Sequence, residues 1–149
     1  MSERVSVGAG AEISVGAPAT ALPDDVERLL RDVVQALPAV AFASTPAIAF
    51  PGQGVETVLV VFLRGGSDVD ATLTVVSERV AASMAALTKE QPKRALPSLA
   101  VLPIPLDRPL DGLAQAVVMT RTEIYVADAG ALLRARRGPQ PWWRRLFGG

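Results

Sequence analysis

The chain contains no histidine and no cysteine among its 149 residues. Without histidine it lacks the commonest general base and the commonest metal ligand of proteins. Without cysteine it can form no disulfide, no thiolate nucleophile and no zinc site of the cysteine type. These absences disfavour catalysis, so we expect a non-enzymatic protein with no catalytic residues, no bound metal and no cofactor.

Aromatic residues are also few, with four Phe, two Trp and one Tyr in the whole chain. Half of the residues are nevertheless apolar and a fifth are charged, which is the composition of a globular domain. The core must therefore be built mainly from Val, Leu and Ala. A chain of this length is sufficient for one domain with such a core.

Charge is distributed unevenly along the chain, although the formal net charge is zero. Residues 134–149 contain five arginines and no acidic side chain, whereas the preceding residues contain ten basic and fifteen acidic ones. We therefore divide the chain into an α+β domain at 1–133 and a flexible, basic and aromatic tail at 134–149.

The spacing of apolar residues predicts two long helices, one from Val26 to Leu37 and one from Val69 to Leu87. Strands are expected at 13–15, at 40–42 with 48–50, at 55–63 and at 99–102, and Pro46 suggests an edge or a bulge. A short helix near 109–119, a strand at 124–126 and a last helical turn at 129–136 follow.

This order, β-α-β-β-α-β with an appended helix, predicts an α+β fold, ferredoxin-like or related, with both long helices on one face of the sheet. Residues 58–62 are apolar at every position, as in a strand covered on both faces. We therefore expect the appended helix or a second subunit to cover the other face, which leaves a homodimer open.

A membrane-spanning segment is not expected. Residues 33–55 carry no charge but contain three prolines and two glycines, which break a spanning helix. The charged start, Met1 to Val5, is unlike a signal peptide. We therefore expect a cytoplasmic protein, with peripheral contact to the inner face of the membrane as an option for its tail.

Several segments resemble the C-terminal domain of SseB, the enhanced-serine-sensitivity family of bacteria. They are Val15-Gly16-Ala17-Pro18, residues 38–43, Leu106-Asp107 and residues 113–117, closing near Tyr125. The resemblance covers roughly residues 12–126 and implies a fold without implying catalytic residues. Family members usually carry a second, N-terminal domain, and their Pro-Phe-Tyr ending is replaced here by Glu123-Ile124-Tyr125.

Few motifs suggest chemistry. Residues 64–68, Arg-Gly-Gly-Ser-Asp, join a strand to a helix as a phosphate-binding loop does. The carboxylates of Asp68 and Asp70 would repel a phosphate there. We therefore favour a glycine turn in which Ser67 or Asp68 caps the helix. Asp68-Val69-Asp70 provides too few oxygens for calcium. Asp107 and Asp111 are interpreted as the start of a helix rather than as an acid–base pair. A nucleophilic Ser or Thr would need Lys89, Lys93 or a carboxylate as its base, and both lysines are expected in a solvated connection, which disfavours this role.

The tail is the strongest binding candidate. Large apolar rings there alternate with guanidiniums, as in segments that lie on anionic membranes or dock on a partner protein. The candidate binding residues are Arg136, Arg137, Trp142, Trp143, Arg144, Arg145, Leu146 and Phe147. A terminus that is disordered or folded back on the domain is the alternative. Nucleic acid is disfavoured because the rest of the chain is acidic.

The sequence therefore predicts an adaptor domain that binds a protein partner, with the tail as a second contact. The alternative is a small-molecule-binding protein or an enzyme that uses a carboxylate-lined cleft. A deep polar cleft would favour this alternative, and a closed surface would favour the adaptor.

Overall fold

The computed structural model describes residues 3–7, 11–52 and 54–137, with side chains described from residue 13 onward within those ranges. Its elements in chain order are β1 (Glu3–Val7), β2 (Ala11–Gly16), α1 (Asp24–Gln35), β3 (Val40–Ser44), β4 (Ala47–Phe50), β5 (Gly54–Leu63), α2 (Val69–Glu90), β6 (Ala100–Pro105), α3 (Gly112–Met119), β7 (Glu123–Val126) and α4 (Ala129–Arg137). The protein is therefore of the α+β class, as predicted. β1, which was not predicted, precedes the β-α-β-β-α-β unit.

β3 and β4 together form one side of a hairpin with β5. Ser44 lies opposite Val60 and Ala47 lies opposite Thr57, so the register is the same on both sides of the interruption between the two short strands. On the other edge, β3 pairs with β7 and β4 pairs with β2. Pro46 lies where the strand changes partners, and its carbonyl accepts from the Val58 N–H at 3.0 Å. It therefore marks the predicted irregularity.

The far edge of β5 pairs with β6, and these two strands are parallel, from Val58 opposite Ala100 to Leu63 opposite Pro105. α2 connects them, so the two strands that it joins lie side by side. The strand order therefore fits the broader option of the sequence analysis, an α+β fold related to the ferredoxin-like one. β2 pairs with β1 in antiparallel fashion at the opposite side of the sheet.

β5 divides its side chains between the two faces of the sheet. Leu59, Val61 and Leu63 pack on the first face with residues of α1 and α2, so the prediction that both long helices share one face is confirmed. Val58, Val60 and Phe62 pack on the second face with residues of α3 and α4. The apolar run of β5 is explained because helices cover both of its faces.

Packing differs between the two layers of helices. α1 and α2 have 12 and 22 residues, whereas α3 and α4 have 8 and 9. Short helices cover less of a sheet, so the second face is the one on which space can remain near the ends of the strands. None of these four helices combines the length and the apolar composition needed to cross a membrane.

Candidate functional site

A cavity of about 480 Å³ lies where β5 and β6 end, next to α4. Because the two strands are parallel, the chain leaves both at the same edge of the sheet. Loops at the carboxyl ends of parallel strands are a frequent place for ligand sites. The described residues that line this cavity, called the arginine cavity below, are Ala41, Arg64, Gly65, Leu106, Arg108, Pro109, Leu110, Gln115, Asp128, Ala131, Arg134 and Ala135.

The charged side chains in this lining are mostly basic. Arg64 follows β5, Arg108 follows β6 and Arg134 projects from α4, so three separate segments each contribute a guanidinium. Asp128 is the one carboxylate among the described lining residues. Asp107 lies beside the lining, with an oxygen 3.6 Å from Nε of Arg108 in an exposed pair. The cavity therefore has an excess of positive charge.

Arg64 and Asp128 hold each other in place at the mouth of the cavity. Nε of Arg64 donates to the carbonyl of Pro38 at 3.0 Å, and its Nη1 lies 3.3 Å from Oδ2 of Asp128. The other oxygen of Asp128, Oδ1, accepts from the Ala131 N–H at 3.0 Å and so caps α4. Asp128 therefore pairs with Arg64 and caps α4 at the same time.

Gly130 leaves room for Arg134. A Cβ at Gly130 would lie 3.3 Å from Nη1 of Arg134, so the guanidinium lies against the glycine one turn before it. No ion pair of Arg134 is found among the residues that the structure describes. Arg134 can therefore bind an anion without breaking an ion pair to another described residue.

Gln115 of α3 contributes a neutral polar group to the lining. Its Nε2 donates to the backbone carbonyl of Ala135 in α4 at 2.9 Å, which fixes the orientation of the amide. Its Oε1 is buried and has no hydrogen-bond partner within the described part of the chain. Buried polar atoms are nearly always hydrogen-bonded, so an acceptor without a partner among the described residues is unusual.

The remaining walls are apolar. They come from the loop after β6, from β3 and from one side of α4, and the residues are Ala41, Leu106, Pro109, Leu110, Ala131 and Ala135. The backbone of the two loops is held close to the strands, because the Leu106 N–H donates to the carbonyl of Leu63 at 2.9 Å. A pocket with apolar walls and a few convergent polar groups is typical of a small-molecule site.

The glycine turn predicted at residues 64–68 is confirmed. Asp68 accepts from the Ala71 N–H at 3.0 Å and caps α2, while the Ser67 hydroxyl donates to the carbonyl of Arg64 at 2.6 Å. Gly66 has a φ of 81°, a left-handed conformation that suits glycine. The carboxylate of Asp68 occupies the helix start where a phosphate would have to bind.

The other predicted carboxylates also have structural roles. Asp111 caps α3 by accepting from the Ala114 N–H at 2.8 Å, as its interpretation as a helix start requires. Asp107 instead faces Arg108. Lys89 and Lys93 are exposed, at the end of α2 and just after it. Among the described residues, no group of three or more Asp or Glu side chains could hold a metal ion.

Only the first part of the predicted tail lies within the described residues. Residues 134–137 form the last turn of α4, so the helix continues beyond the domain boundary placed at residue 133. Arg136 is half-buried and hydrogen-bonds Glu123, whereas Arg137 is exposed. The candidate binding residues Trp142, Trp143, Arg144, Arg145, Leu146 and Phe147 lie outside the described residues.

A second, more open groove of about 630 Å³ lies between α1 and α2. It contains carboxylates and guanidiniums together, among them Asp25, Asp32, Arg28 and Arg79. Arg94 donates to both oxygens of Asp25, at 2.6 and 2.8 Å. This hydrogen bonding lowers the pKa of Asp25 to about 2, and the same contact raises the pKa of Arg94. Asp25 is thus committed to an ion pair.

Sequence reasoning missed the arginine cavity. The sequence analysis places Arg64 in a glycine turn and Arg134 in the tail. It assigns no role to Arg108. The sequence feature that could have grouped the arginines is their position after strands. Arg64 and Arg108 both follow predicted strands, and the ends of these strands meet only if the strands are parallel neighbours. Comparison with protein-family models, with curated proteins and with solved structures finds no match to this chain.

Proposed function

We propose that the protein is a non-enzymatic binding module and that its arginine cavity takes a small anionic ligand. The observation that supports this proposal most is the convergence of Arg64, Arg108 and Arg134 from three segments on one cavity. The proposal departs from the predicted alternative, a carboxylate-lined cleft, because guanidiniums outnumber carboxylates in the described lining.

Guanidiniums suit an anion for geometric as well as electrostatic reasons. Their planar donors match the oxygens of a carboxylate or a phosphate in pairs, and such charge-assisted hydrogen bonds are about twice as strong as neutral ones. Arg134 is available for this role, and among the described residues Arg64 has one carboxylate partner, Asp128, at 3.3 Å. The apolar walls exclude water from one side and so strengthen the attraction.

The size of the cavity agrees with this proposal. Its volume of about 480 Å³ lies in the range of small-molecule pockets, roughly 300–1,000 Å³, and exceeds what an inorganic ion needs. Leu106, Pro109 and Leu110 can pack against the carbon skeleton of an organic anion.

Titration calorimetry with inorganic phosphate and with small alkyl phosphates and carboxylates tests the proposal. We expect Arg134→Met to weaken binding by about tenfold or more, because it removes a charge-assisted contact. Arg79→Met is the matched control, since Arg79 is an exposed helical arginine that lines the groove of the opposite layer. Equal losses in both variants, or no binding by the native chain, would refute the proposal.

Adaptor function through the tail is a second proposal. α4 lines the cavity and has Arg134, Arg136 and Arg137 in its last turn, and in the sequence four residues separate Arg137 from Trp142. A basic and aromatic segment of this kind suits an anionic membrane surface or a partner protein. Co-sedimentation with anionic and neutral vesicles at low and high salt tests the membrane contact, with Trp142→Ser/Trp143→Ser as the comparison. Binding that does not depend on lipid charge or on these rings would refute it.

The resemblance to the SseB C-terminal domain also stays a proposal. The order of helices and strands from β2 to β6 supports it. A homodimer, which the sequence analysis left open, likewise stays a proposal.

A further inference from the structure

A second space adjoins the arginine cavity and runs along β6. It is a groove of about 300 Å³ between β6 and the start of α3, called the β6 groove below. Its walls include Leu102, Ile104 and Leu113, which are half-buried and pack against the core of the second face. Three described residues line both spaces, and they are Arg108, Pro109 and Leu110.

One row of side chains on β6 connects the two linings. Leu102 and Ile104 line the β6 groove and lie two residues apart, so they project from the same face of the strand. The next residue in this row is Leu106, which lines the arginine cavity. Its N–H donates to the carbonyl of Leu63, so it continues the pairing of β6 with β5. The apolar surface therefore extends from the groove into the cavity.

The two spaces differ in charge. Three guanidiniums and one carboxylate lie in the described lining of the arginine cavity. The described lining of the β6 groove has one of each, Arg108 and Asp111, and its other residues are apolar. The carboxylate of Asp111 repels an anion from the groove, whereas the apolar walls favour a hydrocarbon. A ligand that occupies both spaces is therefore expected to be anionic at one end and apolar at the other.

The edge of β6 is poorly suited to a peptide strand. A peptide adds to a sheet through backbone hydrogen bonds at an exposed edge. Because the N–H of Leu106 faces β5, the backbone groups of the alternate residues Pro103 and Pro105 face away from β5. Proline has no N–H to donate, so this edge offers an added strand few partners. A hydrocarbon chain needs no such partners.

We infer that the ligand of the arginine cavity is a single-chain amphiphile, a fatty acid or an alkyl phosphate. Its anionic head lies among Arg64, Arg108 and Arg134, and its hydrocarbon chain lies along the β6 groove. This inference rests on the proposed anion site and adds to it the chemical class of the ligand. Because the protein holds both the head and the chain, the ligand binds as a free molecule and not as part of a bilayer.

A series of probes of increasing chain length tests this inference on the full chain by titration calorimetry. Butyl and octyl phosphate are compared, and butanoate is compared with octanoate, each below the concentration at which it forms micelles. Burial of one methylene tightens binding by up to about fourfold, and an open groove buries only part of each methylene. Within at least one pair we therefore expect the octyl probe to bind about tenfold tighter. The pair with the higher affinity identifies the head as phosphate or carboxylate.

Octyl β-glucoside separates the contribution of the head from that of the chain, because it has the same chain and a neutral head. We expect it to bind at least about tenfold more weakly than octyl phosphate, since it forms no charge-assisted contacts with the arginines.

Leu113→Gln connects the effect of chain length to the β6 groove, because Leu113 is part of its lining and not of the described lining of the arginine cavity. We expect the octyl-to-butyl ratio to fall to about threefold or less in this variant, with the affinity for butyl phosphate unchanged. Leu87→Gln is the matched control, since Leu87 is a half-buried leucine that lines the groove between α1 and α2. It should keep the full ratio.

The outcomes separate the inference from the proposed function. If butyl and octyl probes bind equally to the native chain, and Arg134→Met weakens both, the inference is wrong and the anion site remains. If the ratio persists in Leu113→Gln, or is lost in Leu87→Gln, the hydrocarbon chain lies elsewhere and the inference is also wrong. If no probe binds, or if octyl β-glucoside binds as tightly as octyl phosphate, the proposed function itself fails. The comparisons on the native chain need no variant, so they decide the question if Leu113→Gln does not fold.

Discussion

The two faces of the sheet are built from the same strand but differ in what they leave open. On the first face, α1 and α2 pack over Leu59, Val61 and Leu63, and in the groove between these helices Asp25 forms an ion pair with Arg94. On the second face, the short helices α3 and α4 pack over alternate residues of β5 and leave the arginine cavity at the strand ends. The first layer thus has its open space between its two helices, and the second has it at the ends of the strands.

This difference shows how a cavity can form at the strand ends without weakening the core. The apolar side chains of both faces are buried to a similar extent, since Leu59 and Phe62 are both fully buried. The cavity lies beyond the last residues of β5 and β6, where the backbone leaves the sheet and polar side chains can converge. The charged side chains that line the cavity are therefore separate from the core, whereas Ala41, Ala131 and Ala135 belong to both.

The largest expected effect concerns the two halves of the core. Phe62 stacks on Phe42 with ring centroids 4.3 Å apart on the second face, and Phe62→Ala should lower the free energy of unfolding by about 3–5 kcal/mol. Leu59→Ala is the counterpart on the first face and should lower it by about 2–5 kcal/mol. Urea unfolding of both variants is the measurement.

Both variants should unfold in a single cooperative transition, because β5 contributes to both faces. An early partial transition in Phe62→Ala that is not seen in Leu59→Ala would contradict this expectation. It would show that α3 and α4 form a separately unfolding layer.

A smaller effect is expected from the ion pair that holds the end of α4. Glu123 is nearly buried, with 9 % of its side chain exposed, and it pairs with Arg136. Glu123→Gln leaves that guanidinium without its charge partner and should destabilise the fold by about 2 kcal/mol, between the values for exposed and buried pairs.

Glu27→Gln is the control on the first face. Glu27 pairs with Arg31 one turn later at 3.7 Å, and both side chains are more than a third exposed. Its loss should lower the free energy of unfolding by less than about 0.5 kcal/mol. Equal thermal shifts for the two variants would show that the second layer gains nothing from its half-buried pair.

Asp128 permits a test in which stability and affinity change in opposite directions. Asp128→Ala removes the cap of α4 and should lower the free energy of unfolding by about 1 kcal/mol, while it frees Arg64 and tightens anion binding. Asp128→Asn keeps a capping oxygen, so it should tighten binding with little loss of stability. Thermal melts and titration calorimetry measure the two effects.

Asp68→Ala is the matched control, because Asp68 caps α2 in the first layer. It should lower the melting temperature as Asp128→Ala does and leave anion affinity unchanged. Unchanged affinity in both Asp128 variants would argue that Arg64 takes no part in binding.

The fold was predictable to the extent that local patterns determine it. The helical stripes of α1 and α2 and the apolar run of β5 follow from spacing alone, and a run that is apolar at every position already requires cover on both faces. The strand partners were not predictable, because pairing β6 with β5 depends on contacts between residues about 40 positions apart. The cavity depends on that pairing, so its arginines could not be grouped from the sequence.

The side chain of Gln115 illustrates the same limit. Nothing in the sequence around residue 115 distinguishes this glutamine from a solvent-facing residue of a short helix. Its amide is held in place because α4 packs against α3 and provides the carbonyl of Ala135 as an acceptor. This hydrogen bond joins two residues, Gln115 and Ala135, that are twenty positions apart in the chain.

The smallest expected effect concerns the first layer and depends on pH. Arg94 holds the pKa of Asp25 near 2, below its ordinary 3.8, so the pair stabilises the folded state above about pH 4 and loses that contribution as pH falls toward 2. Asp25→Asn should therefore be slightly less stable than the native chain near pH 6, and the difference should vanish near pH 2. Urea unfolding across this range checks it. Anion affinity should not change in this variant, because Asp25 lies in the groove of the first face. A difference in stability that does not change with pH would contradict the expectation that Asp25 stabilises the fold through its charge.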